Sequence, residues 1–167
     1  NIVSLSLASL FSDLGYETTT VLLAPLMSSL GGSARNIGYI EGIAEASISI
    51  LKVITGKQSD LLQKRHFFIW TGYLVTAFGV GSCAFVNNWE QLFFARLITL
   101  LGKGIREPAR DALFTSSLPS HHLYGRAFGF HRTLDTIGAI IAPIYASLLI
   151  FYLSYSTIFL IAFVPCF

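Results

Sequence analysis

The chain has 167 residues, of which 53% are hydrophobic and 12% charged, where a soluble domain carries about 25% charged residues; this argues against a water-soluble globule. Eleven Lys plus Arg against nine Asp plus Glu leave a net charge of +2, which gives no basis for a nucleic-acid partner. The mean hydropathy is +0.65, and the apolar residues fall in blocks of membrane-spanning length, about 20 residues each, so the expected solvent is a lipid bilayer.

Six helical blocks are expected, at residues 2–30, 36–56, 66–87, 89–114, 127–152 and 154–167, the last one truncated. Together they make a single bundle over residues 1–167, read as a fragment of a longer chain. The connections are short, including 57–65 after the second block and 116–125 after the fourth, and short connections make neighbouring helices antiparallel. Lys57, Lys64, Arg65 and Arg126 lie in the second and fourth connections, against Arg35 alone in the others. The positive excess marks the cytoplasmic side, which places the amino terminus in the cytoplasm. Trp89, Tyr39 and Tyr124 suit interfacial positions at helix ends.

An ionised side chain at mid-bilayer costs roughly 2.5–3.5 kcal/mol on insertion scales, so the charges inside these blocks need a reason. At helical periodicity the first block stacks Ser6, Ser9, Asp13, Glu17 and Thr20 on one face. The second stacks Glu41, Glu45, Ser49 and Lys52, with Glu45 near mid-span. The third carries no charge in its apolar run and is expected to face lipid or pack peripherally. The fourth stacks Arg96, Lys103, Glu107 and Arg110, flanked by Arg106 and Asp111. Its Pro108 crowds the carbonyl of Gly104 and is expected to bend the helix. In the fifth, His131, Asp135, Gly138 and Ala142 share a face, with Arg132 three residues before Asp135. These charges are open to two readings: ion pairs that specify the fold, or the lining of a substrate or proton path.

Metal, redox and nucleotide signatures are missing from the sequence. Cys83 and Cys166 have no CxxC or Cys/His spacing and read as packing residues. Gly102, Lys103 and Gly104 lack the flanking residues of a phosphate loop. No cofactor is expected.

The segment GKQSDLLQKR resembles the signature loop between the second and third helices of the major facilitator superfamily, with Gly56, Asp60, Lys64 and Arg65 in place. Gln58 and Gln63 depart from the pattern, standing where a hydrophobic residue and a second Gly are usual. Arg96, followed by Gly102, Gly104 and Pro108, is similar to the family's fourth-helix pattern, with a longer Gly spacing. Gly129, Gly138, Ala142, Pro143, Ala146 and Ser147 resemble the fifth-helix motif associated with antiporters, small residues replacing three of its glycines.

The resemblance implies an all-α membrane protein: the amino-terminal six-helix half, a 3+3 inverted repeat, of a twelve-helix fold. No such repeat is visible in the sequence by eye. It also implies alternating access about a mid-membrane site. Asp60 would contact the carboxy-terminal half, absent here, on the cytoplasmic side, with Asp111 and Lys64 or Arg65 in a nearby charge network.

The expected function is secondary active transport in a prokaryotic plasma membrane, as proton-coupled antiport and efflux of a small organic solute. Asp13, Glu17, Glu45 and Asp135 are the proton-carrier candidates. Glu41, Lys52, Arg96, Lys103 and Arg132 are the candidates for pairing with them or for holding the solute. The alternatives are a uniporter or importer of an anionic metabolite and, more distantly, a membrane-embedded enzyme using His121, His122 or His131. The principal expectation is a transporter and not an enzyme.

Overall fold

The computed structural model describes residues 2–118 and 124–166. Among them the chain forms six α-helices: α1 (Ile2–Ser29), α2 (Ala34–Leu62), α3 (Arg65–Ser82), α4 (Trp89–Ser116), α5 (Tyr124–Leu149) and α6 (Tyr155–Phe163). Short 3-10 turns extend α3 over Cys83–Phe85 and α6 over Val164–Cys166. No strand occurs among the described residues.

Local chemistry accounts for the helix ends. Gly31 has φ +73°, and its N–H donates to Ser28 while Gly32 N–H donates to Met27, a Schellman closure that satisfies the last carbonyls of α1. At the start of α4 the Asn88 side chain accepts from Gln91 N–H at 2.9 Å, and Gln91 Oε1 accepts from Asn87 N–H at 2.8 Å. This reciprocal arrangement is a capping box. Ser154 caps α6 by accepting from Thr157 N–H.

One boundary differs in an informative way from the sequence reading. The segment 57–65 reads as a connection in the sequence, yet α2 continues through Gly56 to Leu62 and only Gln63 and Lys64 join it to α3. Gly56 does not end the helix; it faces Pro108 of α4, where a Cβ would lie 3.5 Å from the ring. The residues after it are compatible with helix, and Ser59 is buried. The reversal is made by Gln63 at φ 52°, a left-handed position, with its Nε2 donating to Asp60 O at 2.7 Å. In α6, α-helix covers only Tyr155–Phe163 of the expected 154–167.

α4 is the central element. It packs most extensively against α3 and α2, while α1 packs chiefly on α5. The α3–α4 contact is made by glycines: a Cβ on Gly72 would meet Arg106 N and Gly102 O at 2.8 Å, and one on Gly79 or Gly102 would run into the facing Thr99 or Thr76. Only residues without a Cβ allow such close backbone approach. The opposite side of α3 exposes Phe67, Trp70, Leu74 and Phe78, so this helix is peripheral on one face and tightly seated on the other. Pro108 removes an N–H from the α4 ladder, and Thr55 Oγ1 of α2 donates to the Gly104 carbonyl at 3.0 Å.

Polarity is distributed inside out. Arg96 and Arg106 are 1% and 0% exposed, whereas Val53, Phe85 and Phe151 are each more than 70% exposed. A chain solvated by lipid can afford that surface, and buried charges are then expected to face the bundle interior. By length and composition alone, one described helix, Arg65–Phe85, is apolar enough to cross a membrane; polar stripes lower the hydropathy of the others.

Candidate functional site

Because α1 and α4 run antiparallel, hydroxyl and acidic groups one turn apart on α1 meet bases one turn apart on α4. Starting where α1 begins and α4 ends, Arg110 donates to Ser9, then Arg106 donates to Ser12 and to Asp13 Oδ1, the last at 2.5 Å. Farther along, Arg96 Nη1 donates to Thr19 at 3.0 Å. Arg96 also makes a two-pronged contact with Glu41 of α2, Nε to Oε1 at 2.8 Å and Nη2 to Oε2 at 3.3 Å. Planar, bidentate pairing of this kind fixes geometry as well as charge.

Between these arginines lies a second cluster. Glu107 accepts Lys52 of α2 at 2.7 Å and lies 3.9 Å from Lys103. The Lys103 ammonium sits 4.0 Å from the centroid of the Tyr16 ring, which Arg96 also approaches at 4.9 Å. Tyr16 is buried among Ala44, Ile48 and Leu100, so a cation–π platform is held at the meeting of α1, α2 and α4. Glu17, the next residue, is half-buried.

α5 closes the other side of α1. Gly138 lets the helices meet, a Cβ there lying 3.1 Å from Leu10 O. Ala142 and Ala146, at successive four-residue steps, are fully buried. Tyr145 and Thr18 share a short hydroxyl contact. Gly129 and Ser147 are exposed, so the small-residue face comprises Gly138, Ala142 and Ala146, with Pro143 beside it. His131 lies 3.5 Å from Asp135 and 3.1 Å from Ser6 Oγ.

Two candidates stand apart from these clusters. Glu45 and Arg132 are exposed, and neither takes part in an ion pair among the described residues. Asp135 therefore pairs with His131 rather than with Arg132. Glu45 projects from α2 between Glu41 and Lys52, both of which reach α4. At the α2–α3 connection Asp60 pairs with Arg65 at 3.3 Å, and Arg65 also donates to Ala112 O and Ser116 Oγ of α4. Asp111 pairs with Arg110 at 3.3 Å, and Lys64 is exposed, so the expected charge network divides into two pairs.

Several partners were missing from the sequence candidates. Ser12 and Thr19 lie beside the polar stripe of α1 and not on it, and a hydroxyl carries no charge signal; Arg106 stands only as a flank of the α4 stripe. Offsets from Arg106 to Arg110 and from Ser12 to Thr19, four and seven residues, were the available clue. His121 and His122 lie outside the described residues. No group of three or more His, Cys, Asp or Glu able to hold a metal occurs among the described residues.

Comparison with known proteins agrees with this architecture. The family profile for the Major Facilitator Superfamily matches residues 5–167. An uncharacterized MFS-type transporter of Methanocaldococcus jannaschii is 34% identical over 156 residues, 93% of this chain and 39% of that protein. An uncharacterized protein of Mycobacterium tuberculosis is 31% identical over 137 residues, 81% of this chain and 33% of that protein. An MFS-type transporter of Penicillium citrinum is 25% identical over 158 residues, 95% of this chain and 26% of that protein. The chain thus spans between 26% and 39% of the length of these relatives. With a profile match over nearly its whole length and a bundle of six helices among the described residues, the chain belongs to the Major Facilitator Superfamily.

Proposed function

We propose that the chain is the amino-terminal half of a secondary transporter that exchanges protons for a small organic solute and exports it from a prokaryotic cell, working by alternating access with its amino terminus in the cytoplasm. The carboxy-terminal half completes the central cavity in this reading. The observation that carries it is that ion pairs straddle the boundary between interior and opening. Arg106 is fully buried while its partner Asp13 is 13% exposed, and Arg96 is 1% exposed while Glu41 is 33% exposed.

A carboxylate at such a boundary can take a proton from an aqueous cavity. Once neutral it no longer holds its guanidinium, and the freed arginine can move to another acceptor or to a solute. Proton binding and helix rearrangement are then linked, as an ion that binds one conformer better must shift the balance toward it. Glu17 and Glu45, which stand outside every ion pair among the described residues, offer protonation or solute contact at the open face. Asp13 and Asp135 serve the interior. Similarity to transporters of a family that includes the M. jannaschii protein supports membrane transport in general; direction, proton coupling and solute are part of the proposal.

The test is proton flux in liposomes containing the full-length protein, with a pH-sensitive dye trapped inside and a panel of organic cations, anions and neutral drugs added outside. Solute-evoked proton movement that vanishes in Asp13→Asn or Asp135→Asn is the expected result. Transport without any proton response removes antiport. A second reading, uniport or import of an anionic metabolite, is favoured by one observation: Lys52 and Lys103 converge on the single carboxylate of Glu107. Uptake of a carboxylate-bearing solute that is lost in Lys103→Gln and indifferent to the pH gradient would favour it.

A further inference from the structure

His131 and Asp135 sit one turn apart on α5, deep in the α1–α4–α5 contact. His131 is 4% exposed, and His131 Nε2 lies 3.5 Å from Asp135 Oδ2. Ser6 Oγ of α1 lies 3.1 Å from the other ring nitrogen, and the Phe114 ring of α4 covers the imidazole with centroids 5.2 Å apart. Two polar atoms here, His131 Nε2 and Asp135 Oδ1, are buried without a hydrogen-bond partner among the described residues. Leaving such atoms unpaired is costly, and a pocket that keeps two of them side by side has the composition of a site that exchanges something.

The charges facing the pair identify what is exchanged. From α4 come Arg110 and Asp111, which pair with each other; from α1 comes Asp13, which is paired with Arg106. Guanidinium groups stay protonated in proteins, so those two pairs are each neutral. Among the described residues, Asp135 is the one carboxylate of this pocket with no arginine or lysine within ion-pair distance, its partner being His131. The pocket is therefore neutral only while the His131–Asp135 pair holds a proton beyond neutral imidazole and carboxylate.

Ser6 fits that exchange. With the imidazole neutral and its hydrogen on Nε2, the Ser6 hydroxyl donates to Nδ1. With the imidazole protonated, both ring nitrogens donate and the same hydroxyl turns to accept. One proton can arrive and leave while the Ser6 contact persists in either state. The dyad also sits one turn before Gly138, where α5 touches the α1 backbone at Leu10, so relative movement of α1 and α5 alters the contact between Ser6 and His131 directly.

We propose that His131 and Asp135 form a proton-binding dyad at the α1–α5 interface, with Ser6 as the group that positions the imidazole in both of its states. The use of that proton to drive solute exchange rests on the antiport reading; the proton site does not.

The experiment uses the full-length protein in lipid nanodiscs with nitrogen-15-labelled histidine. The His131 signals are identified by their loss in His131→Gln, or, if that variant does not fold, by their displacement in Ser6→Ala. A single titration of the imidazole between about pH 5 and 8 is expected. Asp135→Asn, which removes the neighbouring negative charge, should weaken proton binding by about tenfold. One unchanging protonation form across that range in both the parent and Ser6→Ala overturns the dyad, as does a titration indifferent to Asp135→Asn. If the imidazole titrates as expected while no solute in the liposome panel evokes proton movement, the dyad stands and the antiport reading falls.

Discussion

α4 presents two opposite solutions to the problem of packing a helix in a membrane. Toward α3 it offers Thr99, Gly102 and the backbone of Arg106, which meet Gly79, Thr76 and Gly72 at backbone distance. Toward α1 and α2 it offers Arg96, Arg106, Arg110 and Glu107, each with a hydroxyl or charged partner on another helix or, for Glu107, one on another helix and one on its own. The first contact works by shape, has no alternative partner and resists sliding. The second works by charge, through groups whose partners are themselves polar or charged. One helix thus joins a fixed wall to a charged interior.

The largest effect is expected from removing one side of a buried pair. Asp13→Ala strands the Arg106 guanidinium and should cost about 3–5 kcal/mol, while Asp13→Ala combined with Arg106→Met should recover most of it; thermal unfolding of the full-length protein in detergent measures both. If the double variant is no better than the single one, the interior is held by shape after all. Arg96→Lys keeps the charge but loses the two-pronged contact with Glu41, for about 1.5–3 kcal/mol by the same measurement.

On the dry side, Gly102→Ala places a methyl against Thr76 and should cost about 1–3 kcal/mol. A neutral outcome there would mean that α3 slides on α4, and the contrast between the two faces would fail. Thr55→Val removes the donor to the Gly104 carbonyl and should cost about 1 kcal/mol, read as a small drop in unfolding temperature. Smallest is Gln63→Gly, expected to stabilise by about 0.5 kcal/mol, relief of a left-handed residue slightly outweighing the entropy that glycine brings. Chemical denaturation at matched detergent concentration can resolve its sign.

The polar interior was partly legible in the sequence, and the reasons are uneven. Periodicity put Ser6, Ser9 and Asp13 on one face of α1, and the structure turns that face toward α4 and α5. It also put Glu45 with Glu41 and Lys52, yet only the latter two reach α4, because a helical wheel says which residues share a side and not which of them a neighbour covers. Arg132 was placed near Asp135 by spacing alone, whereas the helix points His131 at that carboxylate. Ser12 and Thr19 gave no signal, since a hydroxyl becomes informative only when a guanidinium arrives from eighty or more residues away in the chain in one case and nearly that in the other, a relation no local window contains. The end of α2 differs because the polar run 57–65 reads as a connection, whereas the chain carries it as helix to Leu62.

The link between α2 and α3 has a mechanical side. Two residues, Gln63 and Lys64, separate the helices, and an extended chain covers at most about 3.6 Å per residue. Such a link has almost no slack. With α3 seated by its glycines on α4, and Arg65 fastened to the last turn of α4 through Ala112 and Ser116, a displacement of the α3–α4 wall is delivered to the Asp60 end of α2 without lost motion. The short tether turns three helices into one linkage, with the Asp60 carboxylate at the joint between α2 and α3.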